Sequence, residues 1–319
     1  MRPIRLGVIG CGNFVRNHIR AVNDHVPEFR IAALADSDRH KAVQLRKELL
    51  PRRRVEIYED HRKMLAEADL QAVIIATPHT LHYTHARDAL AAGCHVLIEK
   101  PMVTSSTNAR RLVRKAERAG LNLQVAIQGT YTDTFAYARK LLTDGTIGDL
   151  QLATGIMAQG WLAGTAGTWR QNPKLSGGGQ LYDSTAHVLS AMVFLVDSPV
   201  VRAHCWTQNK GTPVDINAVA TMEFANGCMA TITSGGNCPT FYSHLILQGD
   251  NAFMEISPHG GSFRVDRKRP PLQITSVPKG WSVPTVTPAR NFADVILGRG
   301  EPRCTGELGI RLSELMDAL

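Results

Sequence analysis

What the chain lacks already narrows its possible functions. None of its 319 residues belongs to an apolar run approaching the roughly 20 residues that a membrane-spanning helix requires. The six cysteines, at positions 11, 94, 205, 228, 238 and 304, form neither a Cys-x-x-Cys pair nor a zinc-type cluster with histidine. We therefore expect reduced thiols, no structural metal and no membrane partner.

The chain also lacks internal repeats, low-complexity tracts and a concentrated basic surface motif. Its formal net charge is +8, and the densest basic run is Arg52-Arg53-Arg54. This run has no interleaved aromatic residues, so we interpret it as a solvated loop and not as a nucleic-acid site. A positive field still favours anionic ligands such as dinucleotides. Because the N-terminus enters a strand directly, without a signal-peptide pattern, we expect a cytoplasmic protein.

The composition is ordinary for a globular protein, and its patterning predicts two domains. Hydrophobic residues make up 44% and charged residues 20% of the chain. A chain of this length is long for one core. Strand and helix patterns alternate over residues 1–125, which predicts a doubly wound parallel Rossmann sheet. Over residues 126–319 strands mostly follow one another, which predicts an α+β domain with a large, mostly antiparallel sheet, its C-terminal helix being available to pack back on the first domain.

A glycine turn follows the first predicted strand. Gly10, Gly12, Asn13 and Phe14 lie between the strand at 4–9 and a helical segment that begins near residue 16. Small residues allow a tight turn there and let backbone amides approach a pyrophosphate at the helix N-terminus. Val15 occupies the third glycine position of such motifs and weakens the match.

Two aspartates follow the second predicted strand. Asp36 is placed to accept hydrogen bonds from the ribose of an adenosine, whereas Asp38 fits the N-cap of the next helix. A carboxylate at this position repels a 2′-phosphate, which favours NAD over NADP. Arg39, in contrast, would favour a 2′-phosphate and therefore NADP.

The run Val96–Glu99 is the most informative strand of the chain, because it stops at Glu99-Lys100-Pro101. A branched apolar run is typical of a buried parallel strand, and Pro101 cannot donate to a sheet ladder. In open α/β sheets ligands bind at the carboxyl edge, where Lys100 would lie. The alternative is a solvated strand end with a surface ion pair.

A second polar pair lies in a predicted helix over 180–195. Asp183 and His187 are spaced i, i+4, so a helix would place them on one face, just after the glycines at 177–179. Histidine is well suited to proton transfer near neutral pH, but a core histidine bonded to an aspartate fits the same pattern. Four further side chains are placed either to line a sugar-sized pocket or to pack in a core: Trp161, Trp169, Arg170 and Tyr182.

Taken together, these residues resemble the Gfo/Idh/MocA oxidoreductases, named for glucose–fructose oxidoreductase and inositol dehydrogenase. The resemblance covers nearly the whole chain. It rests on these segments, in order: Gly10-Cys11-Gly12 with His18, Asp36, Ala76-Thr77-Pro78 with His82, His95–Pro101, Trp169-Arg170, Ser176–Gly179 with Asp183 and His187, and residues 292–306.

The resemblance implies two domains and NAD(P)-dependent hydride transfer between a ketone and a secondary alcohol of a sugar or cyclitol. It implies that Lys100 contacts the substrate oxygen and the nicotinamide region, that His187 is the general acid/base, and that Asp183 positions both. It also implies a homodimer or homotetramer formed through the open face of the second sheet. The implied cofactor-binding residues are Gly10, Gly12, Asn13, Phe14, Asp36, Thr77, Pro78, His79, His82, Glu99, Lys100, Gln128, Trp169 and Arg170.

Several departures from the family pattern bear on the substrate. Residues 128–131 read Gln-Gly-Thr-Tyr where relatives often have a stretch like Asn-Tyr-Arg-Phe, and Thr185 replaces a common glycine. The missing arginine removes a charge near cofactor or substrate, so the substrate class does not follow from the family. Two other functions fit the same fold: an NAD-dependent glycosidase that works by oxidation and elimination, and a non-catalytic dinucleotide-binding regulator.

Overall fold

The computed structural model describes residues 2–51 and 53–319. The chain divides into two compact units, of which the first comprises the residues up to Ala126 together with Val286–Ile310, and the second Ile127–Thr285 together with Arg311–Leu319. Arg52 lies outside the described residues, while Arg53 and Arg54 are exposed and belong to no helix or strand.

Strands and helices alternate regularly over the first 126 residues. In chain order they are β1 (Ile4–Ile9), α1 (Val15–His25), β2 (Phe29–Ala35), α2 (Arg39–Leu49), β3 (Glu56–Tyr58), α3 (His61–Glu67), β4 (Ala72–Ile75), a 3-10 turn (His79–Leu81), α4 (His82–Ala91), β5 (His95–Glu99), α5 (Ser106–Ala119) and β6 (Leu123–Ala126).

The remainder of the chain is richer in consecutive strands. Its elements are a 3-10 turn (Gln128–Tyr131), α6 (Asp133–Thr143), β7 (Leu150–Ala158), α7 (Trp161–Gly164), a 3-10 turn (Trp169–Gln171), α8 (Pro173–Ser176), α9 (Ala186–Val196), β8 (Val200–Gln208), β9 (Asn217–Phe224), β10 (Met229–Gly235), β11 (Tyr242–Gly249), β12 (Phe253–Ile256), β13 (Phe263–Arg267), β14 (Leu272–Ile274), α10 (Pro288–Ile296) and α11 (Gly306–Ala318).

The first unit contains a parallel sheet with the strand order β3-β2-β1-β4-β5-β6. This confirms the doubly wound sheet predicted from the sequence. The order reverses between β1 and β4, and the carboxyl edge at such a reversal is where α/β sheets bind ligands. All four residues of β4 are buried, as expected for a parallel strand covered by helices on both faces.

Local sequence signals set several element ends in the first unit. The Asp38 carboxylate accepts a hydrogen bond from the His40 amide, 3.0 Å away, which confirms Asp38 as the N-cap of α2. Gly120 ends α5 in the left-handed conformation, with φ of 63°. Both signals lie within a few residues of the boundary they determine.

Helix α10 completes the core of the first unit. Phe292 is fully buried, and its ring centroid lies 5.9 Å from that of Phe29, the first residue of β2. Arg290 donates to the Glu28 carboxylate at 2.7 Å. The sequence assigned residues 286–310 to the second domain, whereas the apolar face of α10 packs in the first unit, because that face joins the core of β1 and β2.

The second unit contains a mostly antiparallel sheet with the order β14-β13-β12-β11-β7-β10-β9-β8, in which β7 and β10 pair in parallel. This confirms the predicted large sheet. Helix α9 packs closely on one face, since a Cβ atom added at Gly155 would lie 2.8 Å from Val188 Cγ1. Strands β9 and β10 form a hairpin, with Gly227 at φ of 86°.

The other face of this sheet is open. Side chains alternate along β9 and β10, so that Ala220 and Ile232 are buried while Val219 and Met229 are exposed. On the edge strand β8, Trp206 is 63% exposed and is the direct cross-strand partner of Val219. Several large apolar side chains are therefore exposed on the surface of β8–β10.

One predicted element differs from the structure. The helix predicted over 180–195 begins only at Ala186, and residues 181–185 form a turn. The segment 270–288 also contains the short strand β14, in which Leu272–Ile274 pairs with β13.

Tertiary hydrogen bonds explain the late start of α9. The Asp215 carboxylate accepts from the Gly179 and Leu181 amides at 2.6 and 2.8 Å, and the Thr185 hydroxyl lies 2.6 Å from the Ser234 hydroxyl on β10. A Cβ atom at Gly179 would lie 1.9 Å from the Asp215 carbonyl oxygen, so the turn is held against that segment. None of these partners is visible in the local sequence.

Candidate active site

The glycine turn between β1 and α1 has the geometry of a nucleotide cradle. Gly10 has φ of 94°, and a Cβ atom there would lie 2.7 Å from the Ala76 carbonyl carbon, so only glycine fits. A Cβ atom at Gly12 would meet nothing within 4 Å, so the backbone there is open to a ligand. Asn13 and Phe14 are exposed beside it, whereas Val15 is buried in the core. The geometry of the turn is thus compatible with a pyrophosphate at the start of α1, even though the third glycine of the motif is missing.

Asp36 is fixed beside this turn at the end of β2. Its two carboxylate oxygens accept from the Cys11 amide at 2.7 Å and from the Asp38 amide at 2.9 Å. Each oxygen keeps a further lone pair, with which it can accept from a ribose hydroxyl. Burial, together with the charge of Asp36, raises the pKa of the Cys11 thiol to about 12, so this thiol adds no negative charge. The donor and acceptor set fits the adenosine half of NAD.

The turn after β4 carries Thr77, Pro78 and His79, and His82 anchors it. The two ring nitrogens of His82 each lie 2.9 Å from a carbonyl oxygen, one of Thr77 and the other of Pro101. Complete burial lowers the pKa of His82. His82 therefore connects the turn after β4 to the turn after β5. Because His82 is fully buried, it can affect a cofactor only through the position of these turns.

The carboxyl end of β5 is held by a buried carboxylate. Glu99 Oε1 lies 2.5 Å from His18 Nε2, and Glu99 Oε2 accepts from the Lys100 amide at 3.2 Å. The interpretation of Glu99 and Lys100 as a solvated surface pair is wrong, because they are only 7% and 8% exposed. Glu99 thus orients the backbone from which the Lys100 side chain extends.

In the second unit, Asp183 is buried and accepts hydrogen bonds from two side chains. Its Oδ2 accepts from Trp161 Nε1 at 2.9 Å and from Arg170 Nε at 2.9 Å. The Arg170 guanidinium lies 4.6 Å from the centroid of the Trp169 ring. The structure therefore brings Asp183 together with Trp161, Trp169 and Arg170, three of the four predicted pocket residues. Burial raises the pKa of the fourth, Tyr182.

His187 is the second residue of α9 and is partly exposed. The prediction that Asp183 and His187 share one helix is wrong, because Asp183 lies in the turn that precedes α9. The His187 amide donates to the Ser184 carbonyl at 3.2 Å, which marks the passage from turn to helix. Gln128, the remaining candidate of this unit, is exposed in the 3-10 turn before α6.

Sequence reasoning missed two residues near these side chains. Asp215 holds the turn that carries Asp183, as described above. The ring of His259 lies edge-on to that of His187, with centroids 4.6 Å apart. His259 follows β12 in a Pro-His-Gly-Gly loop, and no spacing pattern connects this loop to His187, so only the sheet topology could reveal the contact.

Across residues 2–51 and 53–319, no group of three or more His, Cys, Asp and Glu side chains could hold a metal ion. Within the same ranges, no helix is both long and apolar enough to cross a membrane.

The fold agrees with comparisons to known families. Residues 4–127 match the family described as "Oxidoreductase family, NAD-binding Rossmann fold", and residues 135–257 match the "GFO/IDH/MocA C-terminal domain". The chain belongs to the GFO/IDH/MocA oxidoreductase family, and its first unit is the NAD-binding domain of that family. This confirms the resemblance inferred from the sequence.

Among curated proteins, the chain is similar to D-glucoside 3-dehydrogenase of Escherichia coli K12, with 26% identity over 206 residues. The match covers 63% of this chain and 56% of the relative, so the chain spans little more than half the length of that protein. Inositol 2-dehydrogenase of Paracoccus denitrificans is 30% identical over 144 residues, which cover 45% of this chain and 42% of the relative.

Among solved structures, scyllo-inositol dehydrogenase from Lactobacillus casei with bound NAD(H) and scyllo-inositol has a TM-score of 0.80 and 20% identity. That match covers 100% of this chain and 96% of the other. The WlbA dehydrogenase of Bordetella pertussis, in complex with NADH and UDP-GlcNAcA, has a TM-score of 0.84 and 22% identity, and the match covers 100% of this chain and 94% of the other. At these identities the likeness establishes the fold.

Proposed function

We propose that this protein is an NAD-dependent oxidoreductase that transfers a hydride between the nicotinamide and a secondary alcohol of a sugar, sugar derivative or cyclitol. The observation that carries the proposal is a buried lysine, Lys100, at the carboxyl edge of an NAD-binding sheet, in a chain that also presents Asp183 and His187. The names of the relatives, glucoside 3-dehydrogenase and inositol 2-dehydrogenase, favour a ring hydroxyl as the reacting group.

Each of the three side chains has a distinct role in the proposal. His187 takes the proton of the substrate hydroxyl, as a general base near neutral pH. The Lys100 ammonium stabilises the negative charge that develops on the same oxygen. Asp183, held by Trp161 and Arg170, positions substrate and His187. When bound, NAD⁺ accepts the hydride from the carbon, and the protein supplies orientation.

The residues proposed to hold NAD come from the turns already described. Backbone amides near Gly12 contact the pyrophosphate, and the Asp36 carboxylate accepts from the adenosine ribose. Gly10 and His82 maintain the shape of the turns. The further proposed contacts are Asn13, Phe14, Thr77, Pro78, His79, Lys100, Gln128, Trp169 and Arg170, with Glu99 orienting Lys100.

A substrate screen tests the proposed function. Inositols, polyols, free sugars and glycosides are incubated with the protein and NAD⁺, and NADH formation is followed by absorbance. We expect turnover with at least one ring alcohol and a strong loss in the Lys100→Ala variant. If no alcohol forms NADH, and Lys100→Ala behaves as the wild type in every assay, the proposal is wrong.

Asp36→Ala is expected to weaken NAD binding by roughly tenfold or more, since hydrogen bonds to charged groups contribute about 1.5–3 kcal/mol. Removal of the carboxylate also removes repulsion of a 2′-phosphate, so the ratio of NADP to NAD affinity should rise. Dissociation constants from fluorescence titration measure both effects.

Asp38→Ala is the matched control for Asp36, because it removes the cap of α2 and an exposed ion pair with Lys41 but keeps the backbone amide that donates to Asp36. It is expected to lower stability by about 1 kcal/mol without changing the cofactor ratio. An unchanged ratio in Asp36→Ala would leave Asp36 with the single role of fixing the turn through the Cys11 amide.

We also propose that the protein is cytoplasmic and self-associates through the open sheet face. All six cysteines are free thiols, as a reducing compartment requires. Exposed apolar side chains mark interaction surfaces. Trp206 and Val219 form a cross-strand pair on this face, and Met229 is exposed further along it. Arg202 and Glu223 pair at 3.2 Å on the same face. The face therefore carries charges of both signs and would not repel a second copy.

Trp206→Asp is expected to shift a dimer or tetramer to the monomer, because it places a charge in the patch of β8–β10. Size-exclusion chromatography with light scattering measures the mass. Arg118→Asp, an equally exposed change on α5, should leave the assembly unchanged. A wild-type monomer, or an unchanged mass for Trp206→Asp, would contradict the interface.

A further inference from the structure

Beside His187 lies a set of rings that the proposed chemistry does not use. The His259 ring packs edge-on against His187, with an interplanar angle of 63°. Phe241 in turn lies perpendicular to His259, with centroids 5.1 Å apart and an interplanar angle of 89°. His187, His259 and Phe241 therefore follow one another as three rings in contact, all within the second unit.

The central ring of this set is held in place. His259 Nδ1 lies 2.9 Å from the hydroxyl of Ser243, which is buried on β11, and the His259 amide donates to Ser257 Oγ at 3.3 Å. Gly260 and Gly261, with φ of 83° and 91°, turn the chain sharply after His259. The orientation of the His259 ring is thus set by buried partners and by backbone geometry, although the residue itself is exposed.

Phe241 has no evident role in folding. Its side chain is 54% exposed, and it immediately precedes β11. Along β11 the side chains alternate, so that Ser243 and Leu245 are buried on the side of α9 while Tyr242 lies on the open face. The contact with His259 places Phe241 on the side of Ser243, separated from His187 by the His259 ring and away from the proposed self-association surface.

We infer that Phe241 and His259 form a ring-binding subsite that adjoins His187, and that the substrate is a glycoside in which a second ring is linked to the reacting one. The inference rests on the proposed function, in which His187 deprotonates a hydroxyl of the reacting ring. Exposed aromatic rings bind the flat apolar face of another ring. Because His259 separates Phe241 from His187, the reacting ring meets His259 and the attached ring meets Phe241.

Phe241→Ala tests the subsite with paired substrates. Phenyl β-glucoside and cellobiose carry a second ring, whereas glucose and myo-inositol do not. We expect the wild type to prefer the first pair and Phe241→Ala to raise KM for that pair three- to tenfold, with little change in kcat and none for the second pair. A tenfold rise corresponds to about 1.4 kcal/mol.

Two further variants separate ring stacking from a general disturbance of the strand. Phe241→Trp keeps an aromatic ring and should restore the low KM for glycosides. Tyr242→Ala removes an exposed ring from the adjacent position on the opposite face, and should leave the preference for glycosides unchanged. If Phe241→Ala changes KM equally for both pairs of substrates, or for neither, the subsite is wrong while the dehydrogenase function stands.

Saturation-transfer NMR with phenyl β-glucoside measures binding independently of turnover. If no alcohol forms NADH, the proposed function fails, and the subsite is judged by binding alone. Transfer to the phenyl protons that is present in the wild type and lost in Phe241→Ala supports the subsite. Equal transfer in both proteins, or none in the wild type, overturns it.

Discussion

His187→Ala is expected to lower kcat by roughly 10²- to 10⁴-fold, the usual contribution of a general acid or base, while NAD affinity changes little. The proton of the substrate hydroxyl then has no acceptor, whereas the residues proposed to bind the adenosine half of NAD are untouched. Steady-state kinetics with the best substrate of the screen gives kcat, and fluorescence titration gives the dissociation constant of NAD.

The position of His187 makes this variant informative. The residue is partly exposed at the start of α9, while the core contacts of that helix come from Val188, Leu189 and Met192. Truncation at position 187 should therefore preserve the fold, as the thermal unfolding midpoint would show. His204→Ala, which removes an exposed histidine of β8, is the control. A loss of NAD affinity equal to the loss of rate would contradict the assignment of His187 as the base.

Lys100→Met is expected to lower kcat by roughly 10²- to 10³-fold, since removal of one preorganised group that stabilises transition-state charge has effects of this size. Methionine retains much of the apolar stem and removes the ammonium group. Lys100 is almost completely buried, so a shorter residue would add the effect of a cavity, which the methionine largely avoids.

The control for Lys100→Met is Lys115→Met, on the basic surface of α5 in the same unit. Rates should remain at the wild-type level in the control. If Lys100 contributes only to substrate binding, Lys100→Met raises KM and leaves kcat unchanged. If Lys100 stabilises the transition state, Lys100→Met lowers kcat. A kcat of Lys100→Met within a factor of about two of the wild type would remove Lys100 from the proposed chemistry.

Lys100 and Asp183 both lie in segments that are held by partners far away in the chain. The Glu99 carboxylate interacts with His18 of α1 and accepts from the Lys100 amide, so α1 helps to place the turn after β5. The Asp215 carboxylate accepts from the Gly179 and Leu181 amides and so fixes the turn that carries Asp183. In each case a carboxylate that takes no part in the proposed chemistry helps to place a proposed site residue.

Several structural features could be predicted because their signals are local. The apolar run of β4, the cap at Asp38 and the turn at Gly227 act over a few residues, through side-chain periodicity and backbone conformation. The requirement for glycine at position 10 was also predictable, although its cause includes the approach of the Ala76 carbonyl. The family, and with it the two sheets, followed from the order of such signals.

The helix boundary near Asp183 shows why local signals fail elsewhere. The i, i+4 spacing and the apolar residues up to 195 predict a helix over both Asp183 and His187. The Asp215 carboxylate accepts hydrogen bonds from this segment, and the Ser234 hydroxyl bonds to Thr185. These partners lie about 30 to 50 residues later in the chain and hold the first part as a turn. Helix propensity reflects only a few neighbouring residues, so it does not reveal these distant partners.

The sequence by itself determined the NAD-binding sheet with its glycine turn, the open antiparallel sheet, and the candidates Asp36, Lys100, Asp183 and His187. Only the tertiary structure decided that α10 belongs to the first core, that Glu99 is a buried partner of His18, and that His259 and Phe241 lie beside His187. The physical reason is the separation in sequence over which each interaction acts. Periodicity, caps and turn glycines act within a few residues, whereas contacts between residues 187, 241 and 259 exist only once the strands have taken their order and register.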